Sequence, residues 1–167
     1  MDRRLASKAM SSTSHRWDLP EQYCIPRGLA AVRGRAFILY HPTAPELERA
    51  VREAEAYLKL REHTESMGVY IWLGQPFPPP SIEVRAAFAA AFGGGGPKVE
   101  CVAWIVDSDR SLGASVVRSV STQMFPRTAE VELFRDPFEG AAWLAKKIDG
   151  DVEAILDGLD TLDRSYA

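Results

Sequence analysis

Three nearly continuous apolar runs of strand length constrain this chain more than anything else in it: residues 36–40 (AFILY), 67–73 (MGVYIWL) and 99–106 (VECVAWIV). Each is too short for an ordinary helix and lacks the alternation of a strand with one wet face. Such strands belong in the middle of a sheet that is covered on both sides. Helical patterns lie between them, and that alternation predicts βαβ units with right-handed crossovers and a largely parallel or mixed sheet. A fourth strand is expected at 129–134. There Val131 and Leu133 alternate with Glu130 and Glu132, the pattern of an edge strand or of one with a single covered face.

The clearest helix spans residues 43–63. Thr43 and Glu46 have capping-box spacing and Pro45 falls in the first turn. Leu47, Ala50, Val51, Ala54 and Leu58 form one apolar stripe, which predicts the buried face. Glu48, Arg49, Arg52, Glu53, Glu55 and Lys59 then make the solvated face. A short helix at 81–92 has Ser81 as its cap and draws its apolar contacts from Ile82, Ala86, Phe88, Ala89 and Phe92. The helix at 112–125 buries Leu112, Val116, Val117, Val120 and Met124, with Asp109 or Ser111 as its cap. Asp136-Pro137-Phe138-Glu139 is a second capping box and opens a helix at 137–148 with Phe138, Ala141, Ala142, Ala145 and Ile148 inward. Val152, Ile155, Leu156, Leu159 and Leu162 then repeat at helical spacing. This last segment docks either on its own domain or on a partner, a second copy of the chain included.

With 167 residues, 46% of them hydrophobic, the chain holds one domain with a real core. Residues 1–20 read as a disordered tail, 21–150 as the domain and 151–167 as an added amphipathic helix. Within 21–35, short strands fit at 23–25 and 29–32 around a Pro26-Arg27-Gly28 turn. Residues 74–80 (GQPFPPP) form a stiff loop that excludes helix and ladder alike. The glycine run 93–96 follows a helix and lacks a Lys-Ser/Thr ending, so it is a flexible connector and not a phosphate loop.

A net charge of −3 argues against nucleic acid as a partner. No run approaches the ~18 apolar residues of a membrane span, and the basic, Ser-rich start has no hydrophobic signal core. The chain reads as cytoplasmic. Cys24 and Cys101 suggest no disulfide framework, and Cys101 reads as a buried thiol. His15, His41 and His63 have no metal-ligand spacing. No metal and no cofactor are expected.

The loop with the most chemistry is Asp107-Ser108-Asp109-Arg110-Ser111. It stands at the carboxyl end of a buried strand and the start of a helix, where open α/β sheets bind ligands. Helix amides and dipole favour a phosphate on Ser108 or Ser111, whereas Asp107 and Asp109 repel it. Phe77, held between prolines, is a candidate partner anchor. His41 is the only histidine at a strand end, and a pairing with Asp107 is geometrically open to it. No nucleophile elbow accompanies it, and catalytic residues are not assigned. A phospho-receiver is excluded, since His41-Pro42-Thr43 supplies no acidic pair after the first strand.

Residues 102–108 (VAWIVDS), the helix after them, residues 130–135 (EVELFR) and residues 138–144 (FEGAAWL) resemble the STAS family, in particular its SpoIIAA-like branch of small bacterial domains. The resemblance covers residues 36–148. It implies a STAS-like sheet, with the C-terminal helix as an addition, and signalling by docking to a protein partner. It also implies a phosphorylatable serine in a loop similar to Asp107–Gly113. The family's loop follows the second central strand, however, where this chain has residues 74–80 and no serine before Ser81. The expected function is therefore that of a non-catalytic regulatory domain that docks to a protein partner. Kinship of the family with lipid-binding domains gives the alternative of a small-molecule or lipid carrier, which needs an enclosed apolar pocket of a few hundred Å3.

Overall fold

Strand β2 (Ala36–His41) is buried along its whole length, as its unbroken apolar run requires. The computed structural model describes residue 25 and residues 28–74, 78–106 and 111–165. Strand β1 (Ala31–Arg33) pairs antiparallel with β2 through a two-residue turn in which Gly34, at φ +56°, occupies the position that tight hairpins reserve for glycine. The chain then alternates: helix α1 (Leu47–Lys59), β3 (Ser66–Leu73), α2 (Ile82–Ala90), β4 (Lys98–Val106), α3 (Ser111–Met124), β5 (Glu130–Phe134), α4 (Pro137–Ile148) and α5 (Val152–Ser165). The result is an α/β fold, a five-stranded mixed sheet of order β1-β2-β3-β4-β5 with five helices packed on it. Strands β2 to β5 are parallel.

Strand order decides where the helices go. Each parallel strand is added on the same side of the last, so right-handed crossovers place every connecting helix on one face. The core follows this rule. Phe37, Leu39, Val69, Ile71, Val102 and Trp104 pack with residues of α1, α2 and α3. The opposite face, with Ile38, Tyr70, Ala103 and Ile105, is covered by Leu144 and Ile148 of α4 and by Ile155 and Leu159 of α5. The terminal helix therefore docks on its own sheet, against β1, β2 and α4, and Arg33 reaches Asp157 at 3.2 Å across that contact.

Several local expectations hold. Ser81 Oγ accepts from the Val84 amide at 3.2 Å, and Asp136 Oδ1 accepts from the Phe138 amide at 2.9 Å with Pro137 in the first turn. Strand β5 is the sheet edge, with Glu130 and Glu132 exposed. Cys101 is buried.

Others do not. Helix α1 begins at Leu47, with Glu46 as its cap and no side-chain capping bond. Pro45 disfavours helical backbone at Ala44, so Thr43 cannot open the helix and the capping box is not formed. Ile82 and Phe138 stand exposed, while Val84 and Leu144 take the buried positions. Gly93–Gly95 are not a free connector but the last, widened turn after α2, which Gly94 ends at φ +143°.

Candidate functional site

His41 is the last residue of β2 and pairs with Leu73, which pairs in turn with Val106. These carboxyl ends lie together at one end of the sheet. Strand alternation sends the His41 side chain to the same face as Phe37 and Leu39, under α1. There it meets Glu53. The His41 ring nitrogen Nε2 lies 2.8 Å from Glu53 Oε2 and 3.1 Å from Oε1. Facing a carboxylate, which offers only acceptors, Nε2 is the donor. One turn back on α1, Arg49 Nε donates to Glu53 Oε1 at 2.9 Å, and its Nη2 donates to the Gly28 carbonyl at 3.0 Å. Glu53 is 0% exposed and His41 5%. The carboxylate is thus desolvated but matched on both sides, the condition under which a buried charge is tolerated.

This overturns the sequence reading of α1. Two helical stripes share Ala50 and Ala54. One adds Leu47, Val51 and Leu58; the other adds Glu53 and Tyr57. The second is buried. Tyr57 decides the contest with its ring. It packs edge-on against Phe37 and Phe92 at 5.1 and 4.7 Å between centroids, and its hydroxyl donates to the Pro97 carbonyl at 2.7 Å. Leu47, Val51 and Leu58 are left 46%, 38% and 36% exposed. Glu53, expected in water, is inside because His41 and Arg49 are there to receive it.

Beside His41, at the carboxyl ends of β2, β3 and β4, is an apolar cavity of about 50 Å3. Leu39, Ile71, Phe88, Trp104, Val117 and Val120 are among its walls, with Pro78–Pro80 at its rim. Trp104 is 5% exposed, and its indole N–H has no hydrogen-bond partner among the described residues. A second depression, of about 370 Å3, lies at the start of α1. It is open and bordered by Glu46, Glu48, Arg49 and Arg52, so it is neither enclosed nor apolar.

Of the residues singled out from sequence, Phe77, Asp107, Ser108 and Asp109 lie outside the described residues, as does the side chain of Ser111; the backbone of Ser111 is the first residue of α3. A pairing of His41 with Asp107 falls there too, and the acid that His41 does meet is Glu53. Charge pattern places Arg49 and Glu53 on the solvated face of the helix, not in a site. Their i, i+4 spacing is common on exposed helices, and only a histidine at the neighbouring strand end hints at an inward turn.

A histidine held by a carboxylate is the arrangement of an oriented base. Here the same carboxylate also receives Arg49, and no hydroxyl or thiol is hydrogen-bonded to His41 among the described residues. Cys101 lies on the opposite face, its thiol pushed up to about 12 chiefly by burial, with Glu100 and Glu130 adding to it. Burial also raises Tyr57 and Tyr70 well above the usual phenol range. Among the described residues no group of three or more His, Cys, Asp or Glu could hold a metal ion, and no helix is long and apolar enough to cross a membrane.

Comparison with family models, with curated proteins and with solved structures returns no match to this chain.

Proposed function

We propose that this chain is a non-catalytic domain that docks to a protein partner through the outward face of α1. The observation that carries this reading is the set Leu47, Val51 and Leu58, three large apolar side chains on one face of one helix, each left between about a third and a half exposed. Single exposed apolar residues are ordinary, whereas several gathered on one face of a helix mark a candidate interaction surface. Exposed Glu48, Arg52, Glu55 and Lys59 border it with both signs of charge, the composition of an interface rim. The occupant that fits is an amphipathic helix of the partner, laid along α1. The resemblance of residues 36–148 to STAS domains supports the same mode of action. In its regulated form the reading adds a phosphate on Ser108 or Ser111. Mass spectrometry of the native protein that finds both serines unmodified, with fully functional alanine variants, removes that addition.

The carrier alternative asks for hundreds of Å3 of enclosed apolar space. Among the described residues the cavity beside His41 offers about 50 Å3, less than that reading asks for.

The test is a photo-crosslinking amino acid at position 51, introduced into the full chain in its native cell. The expected product is an adduct with one different protein, lost when Leu47 and Leu58 are changed to serine. An adduct with a second copy of the chain, or none at all, overturns the proposal.

A further inference from the structure

We propose that the outer edge of strand β5 is a docking site for an extended peptide of a partner protein, one that alternates apolar and basic side chains and adds to the sheet as a further strand. The proposal is independent of the docking reading of α1 and uses other residues.

The first observation is the backbone. Strand β5 ends the sheet: it pairs with β4 on one side, and among the described residues no strand pairs with its other side. Every second residue of an edge strand turns its N–H and C=O away from the sheet, and strand addition uses that row as its template. The second observation is incomplete cover. Val131 and Leu133 stand beside Val102 and Trp104, on the face that carries α1 to α3. Glu130, Glu132 and Phe134 stand beside Cys101, Ala103 and Ile105, on the face that carries α4. Val131, Leu133 and Phe134 all belong to the margins of the two cores, yet each is only half-buried. Trp143 of α4, half-buried as well, packs on Phe134 with 5.7 Å between ring centroids. The apolar side chains of this edge are thus left partly open on both faces.

Charge selects the occupant. Glu130 and Glu132 are exposed and follow one another along the α4 face of the edge. Lys147 reaches Glu130 at 2.7 Å, so a cation already seats on this row. A lysine or arginine opposite Glu132 on an added strand makes the favourable kind of cross-strand pair. Arg127 and Arg135 lie beyond the two ends of β5, so the basic side chains belong opposite the two glutamates alone. A second copy of the chain fits poorly. Antiparallel pairing of the full strand about its centre sets Glu132 against itself, and in-register parallel pairing sets each glutamate against its copy; both are unfavourable. Acidic residues that keep identical edges apart still admit a basic strand.

The probe is a soluble peptide of about seven residues that alternates valine and lysine, added to the ¹⁵N-labelled full chain. Its counterpart carries glutamate in place of lysine. The expected result is saturable binding of the lysine peptide alone, with hydrogen exchange slowed at alternate amides of β5, those that point away from β4. Methylating one alternate set of the peptide's amides should remove binding, and methylating the other set should not. Glu132→Lys, at an exposed position, should weaken the lysine peptide about fivefold and admit the glutamate peptide, the effect of reversing one cross-strand charge pair. Four results overturn the proposal: no protection of the β5 amides at millimolar peptide, equal affinity for the two peptides, unchanged affinities in Glu132→Lys, or outward β5 amides that are already protected without peptide.

Discussion

Removing the Glu53 carboxylate should strike the fold hard, even though charge pattern alone places it among surface residues. Breaking a buried charge cluster by deleting one member costs about 3–5 kcal/mol. Two features of the structure adjust that figure for Glu53→Ala. The Arg49 side chain is 28% exposed and can turn toward water, which lowers the cost. The His41 side chain is 6% exposed and cannot, so its Nε2–H is stranded at about 1–3 kcal/mol. The expected loss is about 2–4 kcal/mol, a large part of the roughly 5–15 kcal/mol that holds a domain of this size together. Glu53→Gln keeps one acceptor oxygen and the side-chain volume, and should cost about half as much. Urea unfolding at neutral pH reads both, with unchanged m values as the sign that the denatured state is not at issue. A double-mutant cycle of Glu53→Ala with His41→Ala should return a coupling of about 1–3 kcal/mol. If Glu53→Ala falls within about 0.5 kcal/mol of the parent, as for an ordinary surface change, the carboxylate is in water and the reasoning fails.

Leu159 of α5 is buried against the sheet face of its own chain. Leu159→Ala should cost about 2–5 kcal/mol, and the midpoint should not depend on protein concentration; a concentration-dependent midpoint would mean that the helix docks on another copy. Stability should also fall in alkali. Cys101, at about 12 against an ordinary 9.0, and Tyr57 and Tyr70, raised above 10.0, all titrate later in the folded chain than in the unfolded one. Their contributions are intact below pH 9 and are lost as pH rises, by up to about 1.4 kcal/mol per unit for each group. A stability that is flat from pH 8.5 to 11 would contradict that burial. Cys101→Ala should abolish the portion that begins near pH 9.

Which parts of the fold can be read in advance follows from the kind of signal involved. Strands β2, β3 and β4 are legible because a run of apolar residues too short for a helix has few other uses. The caps at Ser81 and Asp136 are legible because they answer a local need of the backbone. Strand β1, at 31–33, only overlaps the short strand that fits at 29–32, because three residues carry too little pattern to fix its bounds and its pairing depends on the edge that β2 offers. The orientation of α1 depends on what lies beneath it. Leu47, Val51 and Leu58 outweigh Glu53 and Tyr57 on any hydropathy scale, yet the sheet presents His41 and the Phe37 ring, and these take the carboxylate and the phenol. Of the candidate site, His41 is visible as a histidine at a strand end. Its partner is not, since the cluster forms between residues whose neighbourhood is set by the β2–α1 crossover.

Both the buried His41–Glu53–Arg49 cluster and the apolar row on the surface stem from one fact, the turn of α1 about its own axis. Hydroxyl-radical footprinting of the native chain reads that turn directly. Leu47, Val51 and Leu58, 46%, 38% and 36% exposed, should be oxidised more slowly than in the unfolded chain but far faster than the buried aliphatic residues of the sheet, while Tyr57, intrinsically far more reactive, should be protected. Protection of the three aliphatic residues in the isolated protein, with rapid modification of Tyr57, would put the other stripe inside and contradict both the cluster and the proposed docking surface.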